Sequence, residues 1–136
     1  MARLQTLSLS PADPASVAGR VQFLNHLSKR VLFIDYSHGG AAMMTAVAEE
    51  GHRMIAREPL NSVLTLSDVS GAAFDQESVE VLKAKVAASA PYVKRAAVIG
   101  ITGLQRLIYE AVLMFSKRTI RLFSSRQEAL DYLTQD

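Results

Sequence analysis

The chain contains no cysteine and no tryptophan among its 136 residues. Without thiols it forms no disulfide, thiolate nucleophile, iron–sulfur cluster or cysteine zinc site, and the absence fits a reducing compartment. Long apolar runs are missing too. The uninterrupted stretches are short, such as Val31–Ile34 and Ala96–Ile99, whereas a spanning helix needs about 20 apolar residues. Near the N-terminus Ser8, Ser10, Pro11, Asp13 and Pro14 interrupt any signal-peptide core. The expectation is a cytoplasmic protein that does not cross a membrane. Fifteen basic and 13 acidic residues leave a net charge of only +2, too little to argue for a polyanionic partner. Phosphate-cradling glycine loops, dinucleotide fingerprints and nucleophile elbows are all absent. The three histidines, His26, His38 and His52, never stand two or four residues apart, so no local metal-ligand spacing exists. No metal and no cofactor is expected.

What is present is an ordinary globular composition, with 49% hydrophobic and 21% charged residues. A chain of this length fits one domain and buries roughly two-thirds of its unfolded surface. The charge is uneven along it. Residues 1–33 carry +3, residues 34–90 carry −4, residues 91–127 carry +6 and residues 128–136 carry −3. The basic third segment contains Arg118 and Arg121 but few aromatic residues between its cations, so nucleic acid is not expected as a partner.

Residues 1–19, with two prolines and several small polar residues, read as an irregular arm preceding a single domain over residues 20–136. Val21–Leu27 alternates like a half-buried strand, and Val31–Tyr36 opens with the wholly apolar run of a strand buried on both faces. The short polar gap between them predicts a hairpin. His38-Gly39-Gly40 opens a helix to about Ala56, which Pro59 keeps from continuing. Ser62–Ser67 is a third strand. Asp75 caps a second helix carrying Val79, Leu82 and Val86, which ends before Pro91. Tyr92–Ile101 is a fourth strand. Thr102 and Gln105 form a capping box before the clearest apolar stripe in the chain, Leu104, Leu107, Ile108, Ala111, Val112 and Phe115. Thr119–Phe123 is a fifth strand, and Ser125 with Glu128 caps a last helix. The order ββαβαβαβα predicts an α/β fold, a mostly parallel five-stranded sheet with an antiparallel edge strand.

In open α/β sheets ligands sit beyond the carboxyl ends of the parallel strands. Those ends carry Asp35-Tyr36-Ser37-His38, Asp68-Val69-Ser70 and Gly100-Ile101-Thr102-Gly103. Asp35, His38 and Asp68 would support acid–base chemistry if they converged on one substrate. They are equally the residues that form ordinary turns, and Thr102 is equally a plain helix cap. Tyr109, Leu113 and Met114 lie largely off the main stripe of the 104–115 helix, so that helix is either deeply buried in ordinary core or covered by the N-terminal arm, a second subunit or a ligand.

The element order resembles the STAS fold, named for sulfate transporters and anti-sigma factor antagonists. Asp68-Val69-Ser70-Gly71-Ala72-Ala73-Phe74-Asp75 looks like its D-x-S-G-V-x-F-x-D pattern, one residue shorter. Arg30–Ser37, Tyr92-Val93-Lys94, Ile101–Leu104 and Phe123–Leu130 resemble the SpoIIAA-like branch of small bacterial STAS proteins. The resemblance runs from about Val21 to Leu133. It implies a partner surface at the start of the second helix, Asp75-Gln76-Glu77-Ser78, where the antagonist proteins carry a phosphorylated serine. Here Gln76 takes that position and Ser78 stands two residues on.

Three functions follow as expectations. The first is a non-catalytic regulatory or protein-interaction module whose partner docks around Asp75–Ser78; a homodimer is compatible with it. The alternative is a carrier of a small apolar molecule or lipid, by analogy with lipid-binding domains of the Sec14 type, using Asp35, His38, Asp68, Thr102 and Tyr109. The third is an enzyme built on Asp35, His38 and Asp68.

Overall fold

The computed structural model of the protein describes residues 14–103, 106, 110 and 120–135. A short helix α1 (Pro14–Gly19) precedes a hairpin of β1 (Val21–His26) and β2 (Lys29–Asp35). Then come α2 (Ala41–Ile55), β3 (Val63–Asp68), α3 (Gln76–Ser89), a single 3-10 turn, β4 (Val93–Ile99), β5 (Ile120–Phe123) and α4 (Arg126–Leu133). The five strands lie side by side in chain order. β1 pairs antiparallel with β2, and every other pairing is parallel. This is the mixed α/β sheet that the alternation of strand and helix patterns implies. The apolar stripe over residues 104–115, and with it Tyr109, falls outside the described residues.

The hairpin is tighter than the polar gap suggests. Lys29 and Arg30 belong to β2, and the loop is two residues, Leu27 and Ser28, with φ of 50° and 67°. Both residues are left-handed, as in the turns that match strand twist. Neither glycine nor asparagine marks the spot, and Leu27 sits 70% exposed at the tip. Within the expected irregular arm, residues 14–19 are helical, and Val17 is buried in the main core.

Inward residues of the sheet divide by parity between two cores, as the two-residue side-chain period of a strand requires. On one face Leu32, Ile34, Val63, Val69, Ala96 and Val98 meet α2 and α3. Helix α2 contributes Met43, Met44, Val47, Ala48 and Ile55, a continuous stripe at helical spacing. Helix α3 contributes far less: its buried positions are Ser78, Leu82 and Ser89. On the opposite face Val31, Leu64, Leu66, Ala97 and Ile99 meet Ala129, Leu130 and Leu133 of α4.

Helix α4 is only 8 residues long, and cations hold its carboxyl end. Arg95 donates to the Tyr132 and Gln135 carbonyls at 3.1 and 2.7 Å, and Lys29 donates to the Thr134 carbonyl at 3.1 Å. Such groups satisfy terminal carbonyls and oppose the helix dipole. Arginines also roof the aromatic residues on this face: Arg126 lies 4.7 Å from the Phe33 ring centre and Arg121 4.9 Å from that of Tyr132.

Candidate functional site

Parallel register brings Asp35 beside Asp68 at the carboxyl ends of β2 and β3. Each starts the same three-residue device. The Asp35 carboxylate accepts from the Ser37 N–H at 2.9 Å and from the Ser37 hydroxyl. The Asp68 carboxylate accepts from the Ser70 N–H at 2.9 Å and from the Ser70 hydroxyl at 2.6 Å. Aspartate bonding to the backbone two residues on is a turn-former in its own right. Two Asp-x-Ser turns thus stand in register on adjacent strands.

Main-chain bonds stitch the two turns together. The His38 N–H donates to the Ser70 carbonyl at 2.8 Å, and the Ala73 N–H donates to the Gly39 carbonyl at 2.9 Å. Arg20 supports the first turn, donating to the carbonyls of Asp35 and Ser37 at 3.2 and 2.9 Å. Close approach explains two glycines. Gly71 has φ +64°, and a Cβ there would collide with the His38 ring. Gly100 has φ +86°, and a Cβ there would lie 2.6 Å from the Ser70 nitrogen. At Gly100 the obstacle is main chain, so a side chain there would force the loops apart; at Gly71 the exposed His38 ring would have to swing aside.

At the start of α3, Asp75 is the N-cap. Its carboxylate accepts from the Ser78 N–H at 2.7 Å, and the Ser78 hydroxyl accepts from the Asp75 N–H at 2.9 Å. This is a reciprocal capping box with serine in the usual Glu position. The Ser78 amide, then its hydroxyl, hold the Asp75 carboxyl below the ordinary aspartate range. Ser78 is only 1% exposed. Gln76 and Glu77 are exposed beside it.

The residues expected at a site therefore share one rim, but their side chains do not converge. No described contact joins His38 to Asp35 or Asp68; His38 is exposed, with its φ at 56°. Thr102 is exposed on the third loop of the rim. No group of three His, Asp or Glu side chains among the described residues is placed to hold a metal ion.

A second region carries polar groups that sequence reasoning passed over. Between the sheet and helices α2 and α3 lies a cavity of about 80 Å³. It exists because its walls are built from small residues: Ala48 and Gly51 on α2, Ala96 on β4, Ser89 at the end of α3 and Ala90 just after it. Tyr36, Thr65 and Ser67 also line it, with His52 and Lys85. The His52 Nδ1 and the Ser89 hydroxyl are hydrogen-bonded at 2.9 Å. Burial, reinforced by the Lys85 charge, depresses the His52 pKa below the usual histidine value. Burial pushes the Tyr36 phenol upward, away from ionisation. Asp-x-Ser runs were visible as turn signals; the vacancies around these hydroxyls had no counterpart in the sequence pattern.

A hollow of about 410 Å³ at the opposite end of the strands is polar, lined by Lys29, Arg30, Glu58 and Lys94 among others. Lys29 is engaged with the end of α4, and Arg30 pairs with Glu58 at 3.3 Å. Among the described residues no helix is long and apolar enough to cross a membrane. Comparison with protein-family models, with curated proteins and with solved structures returned no match.

Proposed function

We propose that this protein is a non-catalytic regulatory or protein-interaction module of the STAS type, with its partner docking on the rim around the first turn of α3. The observation that supports this reading is the use made of the rim carboxylates. Asp35, Asp68 and Asp75 all accept bonds from their own loops or helix end. A reaction centre needs its titratable groups turned toward a shared substrate position. Here they rigidify the backbone instead, and a pre-ordered loop surface loses less conformational freedom when a partner binds. Exposed around those turns stand His38, Gly71, Ala73, Gln76, Glu77 and Thr102.

The STAS resemblance points to the same surface. With Gln76 at the acceptor position and Ser78 buried in the capping box, a phosphate-driven switch has no accessible hydroxyl there. Glu77 supplies a standing negative charge in its place. The cavity of about 80 Å³ is well below the roughly 300 Å³ and more of a typical ligand pocket, too small by itself for a lipid; the 104–115 stripe that motivated a lipid carrier lies outside the described residues.

Site-specific photo-crosslinking in cells tests the reading. A crosslinker at position 77 should give one defined protein adduct. The control at Leu60, exposed beyond the far end of α2, should not. An adduct with a second copy of this chain would be the homodimeric form of the same reading. Equal labelling from both positions, or none from 77, removes this surface.

A further inference from the structure

We propose that the cavity between the sheet and helices α2 and α3 is a binding site for a small carboxylate of about six non-hydrogen atoms. The inference does not rest on the rim. It starts from two successive inward positions on the central strand β3, Thr65 and Ser67. Their neighbours on the same face, Val63 and Val69, are fully apolar and buried. Just past the end of β2, Tyr36 reaches the same cavity.

Thr65 is 6% exposed and Tyr36 5% exposed. No described hydrogen bond reaches the hydroxyl of Thr65, Ser67 or Tyr36. Burial alone accounts for the upward shift of the phenol, which agrees with its having no partner. Buried polar groups in folded proteins are almost always paired, so each exception needs an explanation. Two such groups, Tyr36 and Thr65, with the half-buried Ser67 hydroxyl beside them, face one half-open pocket and call for a polar occupant there.

The size and charge of the void narrow the class. A water takes about 10–15 Å³ on this measure, so about 80 Å³ admits roughly six atoms of that size. Most of the lining is hydrocarbon, from Ile34, Leu82, Val86, Val98 and Ile120. Lys85 is the only charged residue on the described lining, no carboxylate lines it, and no described ion pair neutralises Lys85. His52, beside it, is biased toward the neutral form. Three hydroxyls and an ammonium group can all donate. An apolar body with an acceptor-rich anionic head is the complement, which is a short-chain carboxylate.

Butyrate has the right atom count, and butyramide is its neutral counterpart. Titrating each into the full chain, with amide NMR shifts and melting temperature as readouts, tests the site. Butyrate should give saturable shifts at Tyr36, Thr65, Ser67 and Lys85 and raise the melting temperature. Butyramide should bind about tenfold more weakly or worse. Lys85→Met should weaken butyrate by about tenfold and leave butyramide unchanged. Tyr36→Phe should weaken both. A Gln76→Lys/Glu77→Lys variant should bind butyrate normally, separating this site from the rim. Absence of saturable shifts, equal binding of the two probes, or unchanged binding by Tyr36→Phe overturns the proposal.

Discussion

The rim and the cavity lie on the same sheet and treat their polar groups in opposite ways. At the rim, half-buried aspartates that water can still reach nevertheless have two protein donors apiece. Deeper in, where an unpaired hydroxyl is costly, the buried Tyr36 and Thr65 and the half-buried Ser67 have none among the described residues. Bonding in the exposed region therefore reports on loop shape. Its absence in the buried region reports on an occupant. A carboxylate at a strand end is weak evidence for chemistry until its lone pairs are accounted for; a buried hydroxyl with nothing to bond is stronger evidence for binding.

The contrast can be broken most forcefully at Gly100. Gly100→Ala puts a Cβ at φ +86° against the Ser70 main chain. Backbone strain and overpacking together should cost about 2–4 kcal/mol, read as a lower urea midpoint. An unchanged midpoint would mean that the rim loops yield easily and are not the rigid surface described above.

Removing a turn carboxylate should cost less. Asp68→Ala or Asp35→Ala leaves one amide and one serine hydroxyl without their charged acceptor, worth about 1–3 kcal/mol. Each should also raise amide exchange at Ser37, His38 and Ser70. If stability and exchange both stay as in the parent, the Asp-x-Ser turns are decorative.

The cavity should respond with the opposite sign. Thr65→Val deletes an unpaired buried hydroxyl and keeps the side-chain shape. In ligand-free protein it should gain about 1 kcal/mol, seen as a higher unfolding midpoint. A loss of similar size would mean that the hydroxyl already has a partner, and the contrast between the regions would collapse.

The smallest effect concerns pH. Because His52 has a depressed pKa in the fold, the unfolded chain takes up a proton there more readily. Its contribution to stability is complete above the unfolded value of about 6.5 and declines as pH falls through the folded value. His52→Gln should therefore flatten the stability profile between neutrality and mild acid. An identical profile in variant and parent would place His52 in a more watery setting than its contact with Ser89 implies.

Much of the architecture is legible in residue order. The strands at Val31–Ile34 and Ala96–Ile99 and the Asp75 cap all appear where pattern places them, because each depends on neighbours within a few residues. Asp35, Asp68 and Asp75 were equally legible as turn and cap formers. Less was visible where conformation is imposed from outside the segment. The Leu27–Ser28 turn adopts left-handed angles without glycine or asparagine because the hairpin register leaves only two residues to close it. Arg20 gave no local hint of its role, since the carbonyls it holds are 15 and 17 residues away.

Composition, periodicity and capping residues by themselves determined an α/β chain with a mixed five-stranded sheet and a carboxylate-bearing rim, because those depend on short-range spacing. Only the tertiary structure decided that the rim carboxylates face their own backbones and that three hydroxyls surround a void. Whether a polar atom has a partner depends on residues that the fold brings in from elsewhere in the chain, and no local pattern records them.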